Sequence, residues 1–229
     1  MTMKDKKILV VAAHADDEIL GCGGTVARMV QKGCEAFTLI LGEGITSRDE
    51  QSDTNKREHE IKVLKKQVRE ANRIIGIKEV FIYDFPDNRF DSVNLLDIVK
   101  VIETIKEKLK PDIIFTHFSN DLNIDHRITY NSVITATRPM AGETVKEIYS
   151  FEVLSSTEWS FPLSFLPDTF FDISSTLELK TRAMAIYNSE LRDFPHPRSV
   201  KGIELNSAYW GMRLGCQNVE AFKCIRRVV

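Results

Sequence analysis

The sequence predicts a single α/β domain in which a mostly parallel, Rossmann-like sheet carries helices on both faces. Continuous apolar runs of strand length alternate with segments whose apolar residues recur every three or four positions, which is the order of right-handed β-α-β crossovers. The length of 229 residues, with 43% hydrophobic and 28% charged side chains, suits one globular domain. These values exclude a disordered or fibrous chain.

The strands are expected where aliphatic and β-branched residues form unbroken runs, as in parallel strands buried on both faces. In chain order they are Lys7–Ala13, Ala36–Leu41, Glu79–Tyr83, Asp112–Thr116 and Glu147–Val153. Helices are expected between them at Gly23–Lys32, Lys56–Ile75, Asn94–Lys110 and Asp125–Thr137. Gly76 and Pro111 mark the ends of the second and third helices.

The periodic pattern weakens after residue 154. Residues 159–171 are rich in aromatic residues and proline. We therefore expect one domain over residues 1–229, with an α/β core at 1–154 and an irregular, aromatic-rich C-terminal region at 155–229. Two interpretations of that region are open, a packed cap at the edge of the core and a lid over an active site.

Charge and hydropathy exclude several kinds of partner. The net charge is −2, whereas a protein that mainly binds a phosphate backbone normally carries a basic excess, so we expect no nucleic acid partner. The longest apolar run, Ile8–Ala13, is too short for a membrane span or a signal-peptide core. The four cysteines form no Cys-x-x-Cys pair and are expected to be reduced thiols in a cytoplasmic protein. A homo-oligomer is compatible with the sequence.

A dense group of ionisable residues, His14, Asp16, Asp17 and Glu18, follows the first strand. A solvated loop whose aspartates cap the next helix is one explanation. A phosphate-binding loop is a poor one, because the acidic residues would repel a pyrophosphate and the glycines at 21–24 lack the GxGxxG spacing. A divalent metal reverses this objection, since carboxylate and imidazole groups are good zinc ligands.

A second polar cluster, residues 117–127, follows the fourth strand and includes Asp121, Asp125 and His126. In a doubly wound sheet the first and fourth strands are neighbours, and ligands bind in the crevice where the strand order reverses. The predicted topology therefore brings the two clusters together at one edge of the sheet, although they lie far apart in the chain.

The first cluster resembles the AHPDDE signature of the PIG-L/LmbE family of zinc-dependent N-deacetylases, because positions 11–18 read VAAHADDE, with Ala15 in place of the usual proline. Residues 121–127 are similar to the second signature of the family, whose usual form is His-x-Asp-His-Arg. Weaker matches at 42–43, 85–87 and 220–222 extend the resemblance over essentially the whole chain.

The resemblance implies a role for each matching residue. His14, Asp17 and His126 correspond to the metal ligands, for Zn²⁺ or another divalent transition metal, with one position left for water. Asp16 corresponds to the general base, which takes a proton from the attacking water and delivers it to the leaving amine.

One position departs from the family pattern. Many members carry a histidine three residues before the last metal-binding histidine, where it stabilises the oxyanion, and this chain has Asn123 there. An asparagine amide can donate a hydrogen bond to an oxyanion but supplies no positive charge. The role therefore falls to Asn123, with His117 and His196 as alternatives. Asp125 is expected either to orient an imidazole or to cap the following helix.

Substrate contacts are expected from Arg48, Asp87, Arg127 and His196, which lie in loops after strands or in the C-terminal region. For each arginine the alternative is a surface ion pair, and for His196 it is an exposed turn. The resemblance implies a hydrolase that removes an N-acyl, typically N-acetyl, group from a small-molecule amino sugar or sugar conjugate. A metal-dependent amidase acting on a non-sugar small molecule and a catalytically impaired binding module remain as alternatives.

Overall fold

The computed structural model describes residues 4–45 and 57–228 and confirms the mostly parallel α/β fold. Its strands are β1 (Lys7–Ala12), β2 (Glu35–Gly42), β3 (Glu79–Phe85), β4 (Ile113–His117), β5 (Glu147–Phe151), β6 (Thr169–Asp172) and β7 (Val219–Arg227). Its helices are α1 (Asp17–Gln31), α2 (Glu58–Ile75), α3 (Leu95–Leu109), α4 (Ile124–Ala136), α5 (Leu177–Ile186) and α6 (Val200–Met212). In these two ranges no helix is both long and apolar enough to cross a membrane.

The strands form one sheet in the order β3-β2-β1-β4-β5-β7-β6. β1 pairs in parallel with β2 and β4, so that Leu9 lies opposite Phe37 on one side and Ile114 on the other. β3 and β5 extend the parallel part, whereas β7 runs antiparallel to both β5 and β6. The order of the strands reverses between β1 and β4, as the sequence predicts.

Alternate residues of β1 belong to two separate hydrophobic cores. Ile8 and Val10 lie in the core that α1, α2 and α5 cover, whereas Leu9 and Val11 lie in the core that α3 and α4 cover. Because helices cover both faces, every position of the strand after Lys7 is buried, and these positions form a continuous apolar run rather than an alternating pattern. The prediction of helices on both faces is confirmed.

α1 begins at Asp17 and not at Gly23, where the sequence places its start. The Asp16 carbonyl accepts a hydrogen bond from the Leu20 amide at 2.9 Å, which closes the first helical turn directly after the loop. The glycines at 21–24 indicate a loop by composition, yet they lie inside this helix, where they allow close packing against the sheet.

The C-terminal region is more regular than the sequence predicts. Residues 155–168 are irregular apart from a 3₁₀ turn at Thr157–Trp159, but the chain then forms β6, α5, α6 and β7. β7 contains no continuous apolar run because charged residues interrupt it. Its buried Glu220 is paired with buried Lys180 at 2.6 Å, which lets a charged sequence enter the sheet.

We expect Gly21→Ala to destabilise the fold. A Cβ at this position would lie 2.2 Å from the buried Phe151 ring, which cannot move without opening the packing between α1 and β5. The free energy of unfolding, measured by urea denaturation, should fall by about 1–3 kcal/mol. Gly23→Ala is the matched control, because its Cβ would meet no atom closer than 3.3 Å and the helix gains propensity. Equal losses in the two variants would contradict this packing argument.

Candidate active site

A cavity of about 150 Å³ opens at the carboxyl ends of the parallel strands. The loop after β1 contributes His14, Asp16 and Asp17 to its wall, and the segment after β4 contributes Asn123 and His126. The structure thus brings the two polar clusters of the sequence into one site at the point where the strand order reverses.

Asp16 and Asp17 lie where the chain turns from β1 into α1. Asp16 has a left-handed backbone conformation, with φ 87°, which aspartate adopts more readily than most residues. Both side chains line the cavity although both residues are almost completely buried. Burial acts to raise the pKa of Asp17, but the neighbouring His126 and His117 bring that pKa well below its ordinary value. Asp17 is therefore ionised, as a metal ligand must be.

Two imidazoles flank Asp17. His14 Nδ1 lies 3.5 Å and His126 Nε2 lies 3.3 Å from Asp17 Oδ2. The other nitrogen of each ring faces a further buried carboxylate, with His14 Nε2 2.9 Å from Asp125 and His126 Nδ1 3.1 Å from Asp121. Each ring thus lies between Asp17 and a second buried carboxylate. Carboxylates placed behind imidazoles in this way orient histidine ligands in metal sites.

The donor atoms fit a single cation. One atom from each of His14, Asp17 and His126 lies within 4.8 Å of the others. A cation here would also lower the cost of burying several carboxylates close together. Burial acts to lower the pKa of His126, but Asp17 and Asp121 raise it to about 9. A cation must therefore displace a proton from this ring, and it binds more weakly as the pH falls below that value.

Asp125 lies in the first turn of α4 and orients His14 across the cavity. Its Oδ1 accepts a hydrogen bond from the Phe90 amide at 2.9 Å, while its Oδ2 faces His14. A second possible metal group combines His14 with Asp87 and Asp125. Asp17 lies between the imidazoles of His14 and His126, whereas Asp125 faces only that of His14, so we assign the cation to the group that contains Asp17. The residue that caps α4 is Asn123, not Asp125.

Both ends of the Asn123 amide group are anchored at the cavity wall. Its Oδ1 accepts a hydrogen bond from the Asp125 amide at 2.8 Å, and its Nδ2 donates to Asn88 Oδ1 at 2.7 Å. An amide NH₂ group has two donors, so one N–H of Asn123 is left for a ligand. Asn88, in the loop after β3, also lines the cavity. Its role is not predictable from the sequence, because a single asparagine in a loop carries no distinctive signal.

The other two histidines considered for the oxyanion role do not line the cavity. His117 is buried, and its Nε2 accepts a hydrogen bond from the Ala13 amide at 2.8 Å. Burial and the neighbouring His126 hold the pKa of His117 well below its ordinary value. His196 accepts a hydrogen bond from the Arg198 amide through Nδ1. Of the three candidates, Asn123 alone is at the wall.

Arg198 is a site residue that the sequence does not predict. It comes from the segment between α5 and α6, and its Nη1 donates to Asp16 Oδ2 at 3.2 Å while its Nε donates to Ser155 Oγ at 3.1 Å. Burial raises the pKa of Asp16 well above its ordinary value, and Arg198 acts in the opposite direction. The only signal in the sequence is the Pro-His-Pro-Arg motif at 195–198, which does not show where the segment folds.

Among the described residues expected to contact substrate, the structure places only Asp87 at the cavity wall. Asp87 lines the cavity, with its Oδ1 3.2 Å from His14 Nε2. Arg127 instead donates to the carbonyls of Asp121 and Leu122 at 2.6 and 2.7 Å and does not line the cavity. Its guanidinium braces the loop after β4, which differs from the expected substrate contact. His196 also lies outside the wall, and Arg48 lies outside the described residues.

The family of the chain follows from comparison with known proteins. Residues 9–137, more than half of the sequence, match the PIG-L family, described as GlcNAc-PI de-N-acetylase. The matched region runs from β1 to the end of α4 and contains both polar clusters. The chain therefore belongs to the PIG-L family of deacetylases, which are hydrolases, and the resemblance of its two signatures is confirmed.

Two curated relatives are similar over most of the chain. The uncharacterized deacetylase YaiS of Escherichia coli strain K12 is 30% identical over 172 residues, which cover 73% of this chain and 82% of YaiS. Diacetylchitobiose deacetylase of Thermococcus kodakarensis is 26% identical over 192 residues, which cover 81% of this chain and 70% of that enzyme.

Solved structures share the fold across nearly the whole chain. N,N'-diacetylchitobiose deacetylase from Pyrococcus horikoshii has a TM-score of 0.77 at 19% identity, covering 96% of this chain and 84% of that one. GalB, the 4-carboxy-2-hydroxymuconate hydratase from Pseudomonas putida KT2440, has a TM-score of 0.75 at 19% identity, covering 98% of both chains. One fold serves a deacetylase and a hydratase, so the fold alone does not determine the reaction.

We expect the purified protein to hold about one divalent ion, and His14→Ala, Asp17→Ala and His126→Ala each to lose most of it, because each removes one of three converging donors. Metal content per folded chain is the measurement. His59→Ala is the matched control, since His59 is exposed on α2. Full retention of the ion by the His126 variant would remove this ligand assignment.

Proposed function

We propose that this protein removes an N-acetyl group from an amino sugar or its conjugate by zinc-dependent hydrolysis. The observation that carries the proposal is the convergence of His14, Asp17 and His126 in one cavity with the Asp16 carboxylate beside them. Three donors and a neighbouring carboxylate that is not a donor suit a hydrolytic metal site. The sugar is supported by the family description and by the diacetylchitobiose deacetylase relative.

Zinc suits the donor set of two imidazoles and one carboxylate. When bound, it supplies Lewis-acid polarisation of the amide carbonyl. His14, Asp17 and His126 would hold the ion. Asp125 and Asp121 fix the orientation of the two rings from behind, so that little reorganisation is needed when the ion binds.

Asp16 is the proposed general base. It accepts a proton from water as the new C–O bond forms, then returns the proton to the nitrogen as the C–N bond breaks, which releases a carboxylic acid and an amine. The acid then loses its proton to solvent at neutral pH. Arg198 holds one carboxylate oxygen of Asp16 and keeps the group oriented between the two transfers. The C-terminal region thereby contributes directly to the chemistry proposed for the core.

Asn123 is the proposed donor to the carbonyl oxygen as negative charge develops on it. The Asp125 amide and Asn88 fix both ends of its side chain, so its remaining N–H is oriented before substrate arrives. In the family pattern a histidine occupies this position and can supply a positive charge. Asn123 supplies no charge, and its contribution comes from an N–H that is held in a fixed orientation.

The cavity admits the acylated end of a substrate and leaves the rest outside. Its volume of about 150 Å³ is below the range of about 300–1,000 Å³ typical of sites that enclose a drug-sized ligand. Asp87, Asn88, Ser155 and Ser156 line the cavity and are the residues proposed to contact the sugar. We assign residues 155–229 the role of a cap that completes this wall.

We also propose a cytoplasmic location. Cys22, Cys216 and Cys224 are free thiols, and Cys22 is fully buried. Thiols in this state are typical of proteins in a reducing compartment.

One experiment separates this function from its alternatives. The metal-loaded protein is assayed for acetate and amine release from N-acetylated sugars, sugar conjugates and non-sugar amides. Release from the sugars supports the proposal, and release from non-sugar amides alone supports the general amidase. A protein that binds metal and hydrolyses none of them is the catalytically impaired binding module.

Asp16→Asn should retain the metal but slow turnover by roughly 10²–10⁴-fold, because the amide cannot accept the proton from water. Metal content and kcat are measured on the same preparation. Asp91→Asn is the control, since Asp91 is exposed and does not line the cavity. An Asp16 variant that turns over like the parent would move the base to another carboxylate, such as Glu18.

Asn123→Ala should lower kcat by roughly 10²-fold through loss of the donor. Asn120→Ala is the matched control, because it removes a 2.7 Å hydrogen bond to Ser164 from the same loop without touching the cavity. Asn123→His should introduce a fall in rate as the pH rises past neutrality, since an imidazolium loses its proton there and an amide does not. Unchanged kcat in the alanine variant would exclude Asn123 as the donor.

A further inference from the structure

A second cavity, of about 590 Å³, lies beside the candidate active site. The irregular stretch 163–167 forms one wall. The other wall is one face of α6 and its C-terminal end, where Asn206, Tyr209, Trp210 and Arg213 follow the spacing of residues on one side of a helix. The volume falls within the range of sites that bind small molecules. We call this cavity the aromatic groove.

The aromatic side chains of the groove are held in place. Trp210 Nε1 and Asn206 Nδ2 each donate to Glu152 Oε1 at 2.8 Å. The Arg213 guanidinium lies over the rings of Trp210 and Tyr209, 5.1 and 5.4 Å from their centroids. Fixed rings lose little conformational entropy when a ligand covers them, which is a property of preorganised binding surfaces.

The opposite wall exposes hydrocarbon to solvent. Leu163 and Leu166 are 67% and 74% exposed, and Phe170, which also lines the groove, is 36% exposed. Large apolar side chains gathered in a concave surface gain free energy when an apolar group covers them. The composition of this wall therefore favours an apolar occupant.

The charged groups of the groove already have partners. Glu152 accepts the two hydrogen bonds from α6, and Glu158 accepts from the Ser155 amide at 2.6 Å. Arg213 donates to the Tyr209 hydroxyl at 3.0 Å. Because the lining contains two carboxylates and one guanidinium, the groove favours an uncharged ligand over an anionic one.

A single turn of chain separates the groove from the active-site cavity. Residues 155–156 line the cavity, and residues 157–158 line the groove. Thr157 Oγ1 donates to Asp121 Oδ2 at 2.5 Å, and Asp121 in turn faces His126. Because residues 155–158 border both spaces, a group attached to a substrate in the active-site cavity has to cross only this turn to reach the groove.

We propose that the aromatic groove binds an uncharged apolar group, such as an alkyl chain or an aryl ring, attached to the N-acetylated amino sugar. The sugar part of this substrate rests on the proposed function, whereas the affinity of the groove for the apolar group does not. The active-site cavity takes the acylated end, and the groove takes the apolar end.

Binding to the groove can be measured without turnover. The chain has two tryptophans, so Trp159→Phe leaves Trp210 as the only indole. Octyl glucoside below its micelle concentration, which has no amide bond, is titrated against this variant and compared with methyl glucoside. We expect a saturable change in Trp210 fluorescence with the octyl compound alone.

A pair of variants tests whether the groove is the site. Leu166→Ser in the Trp159→Phe background should weaken octyl glucoside binding by about tenfold, since it removes a leucine surface from the wall. Phe161→Ser is the matched control, because Phe161 is 78% exposed in the same stretch but does not line the groove. It should leave the affinity unchanged.

Turnover supplies the second measurement. The octyl glycoside of N-acetylglucosamine should have a higher kcat/KM than the methyl glycoside. Leu166→Ser should remove this preference by raising KM for the octyl substrate while kcat stays the same. Phe161→Ser should retain the preference.

Each contrary outcome has a distinct meaning. Absence of a fluorescence response, or equal affinity of Leu166→Ser and the parent, overturns the groove as a binding site. A Trp210 signal that follows protein concentration instead of glycoside concentration identifies a contact between copies of the chain and also overturns it. Saturable binding without deacetylation of either glycoside supports the groove and rejects the proposed function.

Discussion

The site depends on how buried carboxylates are held where β1 and β4 end. Asp17, Asp121 and Asp125 are almost completely buried, and an ionised carboxylate is stable there only with close partners. His14 and His126 supply them, because each ring contacts Asp17 through one nitrogen and a second carboxylate through the other. The contacts between these carboxylates and the two histidines thus have two effects. They stabilise the buried carboxylates, and they orient the side chains as metal donors.

The C-terminal region completes what the core begins. Arg198 reaches Asp16, and Ser156 and Thr157 donate hydrogen bonds to Asp121. The turn that makes these contacts also divides the active-site cavity from the aromatic groove. The proposed chemistry and the proposed substrate preference therefore depend on the same short segment, which joins β5 to the aromatic-rich stretch.

The sequence predicts those features that local patterns encode. Parallel strands are readable because burial on both faces makes them continuous apolar runs, and the β1–β4 neighbourhood follows from topology. The predicted start of α1 is too late because its glycines indicate a loop by composition. They instead allow close packing of the helix, which a sequence pattern does not show. The sequence does not predict β7, because the strand contains a buried charged residue, Glu220. This residue is stabilised by an ion pair with Lys180, which lies far away in the sequence. Arg198 and Asn88 reach the site only through the tertiary fold, so no local signal marks them.

The proposed hydrolysis depends on a cation held by His14, Asp17 and His126. Removal and restoration of the metal test this dependence most directly. Acetate and amine release from an N-acetylglucosamine conjugate is followed before chelation, after chelation and after zinc is added back, with the fold monitored by circular dichroism. We expect both products to disappear together on chelation with the fold retained, and to return at about one zinc per chain. Unchanged release by protein that contains no detectable metal would contradict the proposed role of the ion.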